Sequence, residues 1–309
     1  MQSIRELADS PKALWDLHAY FNFNESAGFS FDRKLLLSGN FDLGLLNYLD
    51  RSIRKFILEL EDPNSYAVHI NHIDRQFQYL DFAERIFTLC PYTASWLNRR
   101  FNTEKFQKIY FPVNPKYVRF ESSRPIDVIY AGRIVHELIV PNFISPITDF
   151  KYCWVCDDPH PLVTHKSIPY SDKMRLHALS KIAVVHNLLF WNQQYVKNAT
   201  LIEGWNNNLA LKWLKETNPG LSPQFKSRTI EAAMSGCVIL CLKDRWNVIE
   251  EWFDPSSEFI YYESISELKH LLNLISSNYE SYKWIGENAQ QKALSLYSTN
   301  AFVALIESL

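Results

Sequence analysis

The stretch "FKSRTIEAAMSGCVILCL", residues 225–242, decides the fold. Glu231, Ala232, Ala233 and Met234 favour helix, and Gly236 supplies the left-handed residue that stops one. The run Cys237 to Leu242 is short, apolar and rich in β-branched and aliphatic residues, as a buried parallel strand requires. The spacing predicts a helix over 226–235 feeding a strand over 237–242. Lys226 and Arg228 then stand at the positive end of the helix macrodipole, where cations are disfavoured unless an anion is bound. A helix N-terminus at the carboxyl edge of a parallel sheet suits phosphate, because free N–H groups and dipole both favour negative charge. Lys226, Ser227, Arg228 and Thr229 are therefore candidate phosphate-binding residues, and Glu231 is a candidate acceptor for a ribose diol. The alternative is an Arg228–Glu231 surface pair at i, i+3, worth a few tenths of a kcal/mol.

Outward from this stretch, apolar strand candidates recur at 126–132, 151–156, 181–187 and 258–263. Helical patterns lie between several of them, at 173–180, through much of 188–216, and at 265–276. Such alternation implies a doubly wound, mostly parallel sheet, whose ligands bind at the carboxyl ends of its strands. His186 and Asn187 end one of these strands and are candidate site residues. The first half repeats the theme with strand candidates at 13–18, 34–39, 66–70, 85–90 and 108–112 and helical patterns at 42–60 and 92–101. Residues 112–125 carry three prolines and little periodicity, which marks a linker. The expected architecture is α/β: two Rossmann-like domains facing a cleft, the N-terminal one (1–115) reduced and the C-terminal one 116–309. The last helix is expected to pack back on the first domain.

Composition narrows the function. The chain of 309 residues is 47% hydrophobic and 21% charged with a net charge of −2, so no large basic field announces nucleic acid or an anionic membrane. No apolar run approaches a membrane span and the first ten residues lack a signal-peptide core, so a cytoplasmic protein is expected. Five scattered cysteines fit a reducing compartment. Cys153 and Cys156 lie i, i+3 in a strand candidate with no second CxxC, which argues for buried thiols rather than zinc. Asp157-Asp158-Pro-His-Pro follows and is only superficially like an acidic metal motif.

"SRTIEAAMSGCVILC" (227–241) resembles the C-domain signature of GT-B glycosyltransferases, especially the group 1 and CgeB-like branch. "IDVIYAGRI" (126–134) is similar to that family's first C-domain strand with its Gly-Arg, and "KIAVVHN" (181–187) to a later strand ending near the donor. The segment 266–298 is similar to its closing helices, and "IFTLCPYTASWLN" (86–98) looks like the end of its N-domain. The resemblance implies transfer of a sugar from a nucleotide-sugar donor to an acceptor hydroxyl, with no cofactor and no bound metal. It adds Arg133 to the diphosphate-binding candidates. Related retaining enzymes carry two glutamates eight residues apart. Glu231 matches the second, whereas Pro223 stands at the first.

The first domain is then expected to supply acceptor contacts and any general base, which must be a carboxylate or imidazole within hydrogen-bond reach. "HINHIDR" (69–75) places His69, Asn71, His72 and Asp74 at a strand end, and "WDLH" (15–18) places Asp16 and His18 at another. His72, Asp74 and Asp16 are the catalytic candidates. Other readings are a sugar-nucleotide epimerase of the same architecture, a glycosyltransferase acting on modified DNA bases, and a non-catalytic sugar-nucleotide-binding module. The acceptor, the donor's identity, the stereochemistry and the oligomeric state are not specified by the sequence.

Overall fold

The computed structural model describes residues 28–31, 34–38, 54–59, 80, 83–190 and 221–309. The chain divides into two compact units: Met1–Phe111 with Leu188–Gln224 and Val303–Leu309, and Pro112–Asn187 with Phe225–Phe302.

The first unit holds a five-stranded sheet in the order β1 (Gly28–Phe31), β2 (Lys34–Ser38), β3 (Arg54–Glu59), β4 (Arg85–Thr88), β5 (Phe106–Lys108). β1 and β2 pair antiparallel, and β2 through β5 pair parallel. Helix α1 (Pro91–Phe101) follows β4 with proline at its first position, where the missing N–H costs nothing. Asn98 fastens it to β5, accepting from the Phe106 N–H at 2.9 Å and donating to the Phe106 carbonyl at 2.7 Å. Strand β3 corrects the helical reading of 42–60 over residues 54–59; the rest of that stretch lies outside the described residues. Its Leu, Ile and Glu residues suit a helical period, but β3 lies between β2 and β4 with Phe56 fully buried. Ladder pairing on both edges overrides local propensity there. Likewise 188–190, read as helical, forms β10 (Leu188–Phe190), antiparallel to β11 (Leu221–Pro223); the partner is more than thirty residues away and leaves no local signal. Residues 303–309 group with this unit, where the Arg54 guanidinium donates to the Leu309 carbonyl.

The second unit is a six-stranded, wholly parallel sheet: β6 (Ile126–Ala131), β7 (Tyr152–Cys156), β8 (His165–Lys166), β9 (Ser180–Val185), β12 (Val238–Leu242) and β13 (Ile260–Tyr262), in the spatial order β13-β12-β9-β6-β7-β8. Counted within the unit this is 3-2-1-4-5-6, the dinucleotide-binding order, with its switch point between β6 and β9. The central strands are buried nearly end to end, which explains why they read as continuous apolar runs rather than alternating ones. Helix α2 (Tyr170–Ala178) precedes β9, and α3 (Ser227–Met234) precedes β12. Helices α4 (Ile265–Ser277), α5 (Lys283–Leu296) and α6 (Thr299–Ser308) close the chain. Gly236, at φ +70°, ends α3 as expected. Its N–H bonds the Ala233 carbonyl at 2.8 Å and the Cys237 N–H bonds that of Ala232 at 3.1 Å, the paired bonds of a Schellman stop. The proline-rich segment 112–125 is tied into this unit: Val113 is fully buried and its carbonyl accepts from the Thr299 N–H at 3.1 Å. All five cysteines are free and buried.

Candidate active site

The N-terminus of α3 is fixed by one buried amide. Asn187, wholly buried just past β9, accepts from the Lys226 N–H at 3.1 Å and from the Thr229 hydroxyl at 3.3 Å, and its Nδ2 donates to Cys241 Sγ at 3.6 Å. One side chain so ties the carboxyl ends of β9 and β12 to the first turn of α3. Lys226 is the N-cap residue and makes no side-chain cap. The N–H groups of Ser227 and Arg228 have no intrahelical acceptor by helix geometry. Asn187 therefore acts here by aiming the helix end.

Arg228 packs against β6. Its Cζ lies 5.2 Å from the centre of the Tyr130 ring, a cation–π distance. The guanidinium fills the space that a side chain at Gly132 would take: a β-carbon there would come within 2.7 Å of Arg228 Cζ. Arg228 Nη1 is buried and has no hydrogen-bond partner. Tyr130 is in turn fixed from below. Its hydroxyl bonds His186 Nε2 at 3.0 Å, and the His186 ring stacks on Phe143 at 4.4 Å. Burial pushes the Tyr130 phenol up despite the opposing charge of Arg228, so it is neutral at pH 7. His186, at 1% exposed, is thus a support beneath Tyr130.

Glu231 does not pair with Arg228. Its carboxylate, 1% exposed, meets Lys173 Nζ of α2 at 2.5 Å. Burial raises a carboxyl, but here the Lys173 charge, with contributions from His177 and Arg228, outweighs it and Glu231 lies below its ordinary value. Tyr170 on α2 faces the same carboxylate: burial and then the Glu231 charge push its phenol far up. His177, one turn beyond Lys173, is fully enclosed with neither ring nitrogen hydrogen-bonded. Burial lowers it to about 4, the Lys173 and Arg228 charges adding to the effect and Glu231 opposing it. His177 is neutral at pH 7.

The loop after β6 is held from β7. Asp158 accepts from Arg133 Nη2 at 2.9 Å and from the Ile134 N–H at 2.7 Å, and Trp154 Nε1 donates to the Gly132 carbonyl at 3.0 Å. The hydrogen bond from Arg133 holds Asp158 below the ordinary carboxylate range. The Arg133 side chain remains 66% exposed. Among the described residues no group of three or more His, Cys, Asp or Glu side chains could hold a metal ion.

Residues 154–308 match the sequence profile of the family described as glycosyl transferase-like. The chain belongs to this family. The fold of this glycosyltransferase recurs in solved GT-B enzymes of low sequence identity. Sucrose-phosphate synthase from Thermosynechococcus elongatus aligns with a TM-score of 0.62 and 11% identity over 99% of this chain and 77% of that one. Anabaena HepE in complex with UDP and glucose aligns with a TM-score of 0.54 and 10% identity over 83% and 72%. The pneumococcal O-GlcNAc transferase GtfA in complex with UDP and GlcNAc aligns with a TM-score of 0.53 and 11% identity over 94% and 58%. No curated protein matches the chain in sequence.

The structure thus brings Lys226, Ser227, Arg228, Thr229 and Asn187 together at the switch point, with His186 one layer beneath and Arg133 on the adjoining loop. Glu231 is turned toward α2 instead. Asp16, His72 and Asp74, with His18, His69 and Asn71, lie outside the described residues. Sequence reading missed Tyr130, Lys173 and His177. Tyr130 sits inside an apolar run where nothing distinguishes it from core. Lys173 and His177 form an i, i+4 pair on one face of a helix, and such a pair reads as ordinary surface until its buried partner is known.

Proposed function

We propose that this glycosyltransferase takes a nucleoside diphosphate sugar as donor, a UDP-sugar in the first instance, and transfers the sugar to an acceptor hydroxyl. The observation that carries the donor reading is the buried Arg228 Nη1, which has no partner and belongs to a residue of the first turn of α3. Buried polar groups are almost always satisfied, and a cationic one at a helix N-terminus is satisfied by an anion. The UDP carried by the solved HepE and GtfA structures supports the choice of nucleotide.

In this reading the diphosphate rests on the N–H groups of Ser227 and Arg228. The guanidinium gives one oxygen a charge-assisted bond, Lys226 and Thr229 line the same turn, and Arg133 approaches from the β6 loop. Charge grows on the leaving diphosphate as the glycosidic bond breaks. A fixed cation and helix dipole favour that state over the ground state, with no metal needed for the purpose. For an inverting reaction His72, with Asp74, or Asp16 is the proposed acceptor of the hydroxyl proton.

Calorimetry with UDP, GDP and ADP tests the donor site. UDP is expected to bind, and Arg228→Ala to cost about 1.5–3 kcal/mol, the range for a hydrogen bond to a charged group. Wild-type-like UDP affinity in Arg228→Ala overturns the assignment.

A further inference from the structure

We infer that Lys173 is a positioning residue for donor binding: it holds the Glu231 carboxylate away from Arg228 and so leaves the Arg228 guanidinium open to the donor's diphosphate. The inference rests on the assignment of Arg228 above.

Arg228 and Glu231 stand three residues apart on α3, the spacing at which opposite charges on a helix meet. Left alone, they would neutralise each other at the N-terminus and the guanidinium would be occupied. The structure shows another pairing. Glu231 Oε2 meets Lys173 Nζ at 2.5 Å across the α2–α3 contact, with 1% of the glutamate side chain and 18% of the lysine side chain exposed. Lys173 Nζ is also 5.6 Å from the Tyr170 ring centre, which holds the ammonium against the carboxylate. Arg228, freed, lies over Tyr130 and against Gly132 with Nη1 unpartnered.

Removing Lys173 changes what faces the carboxylate. The other titratable groups around it are His177 and Tyr170 on α2 and Arg228 on α3. Tyr170 carries no positive charge, and His177 is fully enclosed, so burial opposes its imidazolium. Among the described residues Arg228 is then the remaining permanent cation facing the carboxylate. A buried carboxylate without a partner is costly, so Glu231 turns to Arg228 and takes the place of the phosphate. The lysine therefore governs donor affinity without touching the donor.

The test is UDP affinity by calorimetry in four variants, with circular dichroism and thermal unfolding as controls for the fold. Lys173→Met is expected to weaken UDP at least tenfold at pH 7. Lys173→Met/Glu231→Gln is expected to return to within about threefold of wild type, because the amide no longer quenches the guanidinium. Neutralising both members of a buried pair is well tolerated, so this double variant keeps the test open even if Lys173→Met alone unfolds. Lys173→Arg and Glu231→Gln are both expected to bind like wild type. Weak binding by the double variant overturns the inference, and so does weak binding by Glu231→Gln alone, which would make Glu231 a direct ligand of the nucleotide. Unchanged affinity in Lys173→Met overturns it as well. Failure of the Arg228 assignment itself reads differently: Arg228→Ala then binds UDP normally.

Discussion

Gly132 and Arg228 compete for one volume: a β-carbon on Gly132 would stand 2.7 Å from Arg228 Cζ. The glycine is needed for this approach rather than for backbone freedom, since Gly236 and not Gly132 has a positive φ. Gly132→Ala should therefore keep the fold and displace the guanidinium from the Tyr130 face. Its N–H bond to the Val155 carbonyl at 2.9 Å is untouched by the change. UDP affinity is expected to fall about as far as in Arg228→Ala, and the two changes together should be no worse than either alone, because both remove the same contact. Additive losses measured by calorimetry would separate the two residues.

Arg228 also has a signature without ligand. Its buried, unpartnered Nη1 is a local cost of about 1–3 kcal/mol, which the donor proposed above would repair on binding. Arg228→Leu removes the orphaned donor and keeps apolar contact with Tyr130. The ligand-free variant should melt at or above the wild-type temperature, while the stabilisation by saturating UDP, about 2.7 kcal/mol at a hundredfold excess over the wild-type Kd, should fall by half or more at the same UDP concentration. A ligand-free variant melting several degrees lower would show that Arg228 is a structural residue.

Asn187 gives the opposite pattern. Its side chain is wholly buried and serves three partners at once, the Lys226 N–H, the Thr229 hydroxyl and Cys241 Sγ. Asn187→Ala leaves the first two without their acceptor, at about 1–3 kcal/mol of stability, and also lets the α3 N-terminus drift. Urea unfolding should show a lower midpoint with an unchanged slope, together with weaker UDP binding. Unaltered stability would mean that water replaces the amide and that the helix end is set elsewhere.

How much of this was legible in the sequence follows from where the information resides. The α3–β12 unit was fully readable because helix formers, a glycine stop and an apolar run are local signals that agree. The phosphate reading of Lys226 and Arg228 followed from their number and position alone. The partner of Glu231 was not readable: local spacing offers Arg228, and Lys173 lies 58 positions earlier in the chain. Strand β3 was hidden for a related reason. Its residues suit a helix, and β2 and β4 on its two edges decide otherwise. Asn187, expected at the donor site, also braces the α3 N-terminus, through hydrogen bonds that no local pattern announces.

His177 supplies a test by pH. It lies at about 4 in the folded protein against an ordinary 6.5, because burial disfavours the imidazolium and the Lys173 and Arg228 charges add to that. The unfolded chain therefore binds more protons than the native one between these values, and stability rises with pH there. The His177 contribution is complete above pH 6.5 and is lost as pH falls toward 4, about 3 kcal/mol in all. Glu231 works lower down: a depressed carboxyl contributes above its unfolded value near 4.3 and loses that only as pH falls through the folded one, so it adds little to this window. The expected result is a wild-type stability, by urea unfolding, that drops between pH 6.5 and 4.5 by more than that of His177→Leu. The difference between the two proteins should narrow or reverse on acidification. A difference constant with pH would mean that His177 protonates as an ordinary histidine and that water reaches the α2–α3 contact. A histidine titration followed by NMR would show that directly.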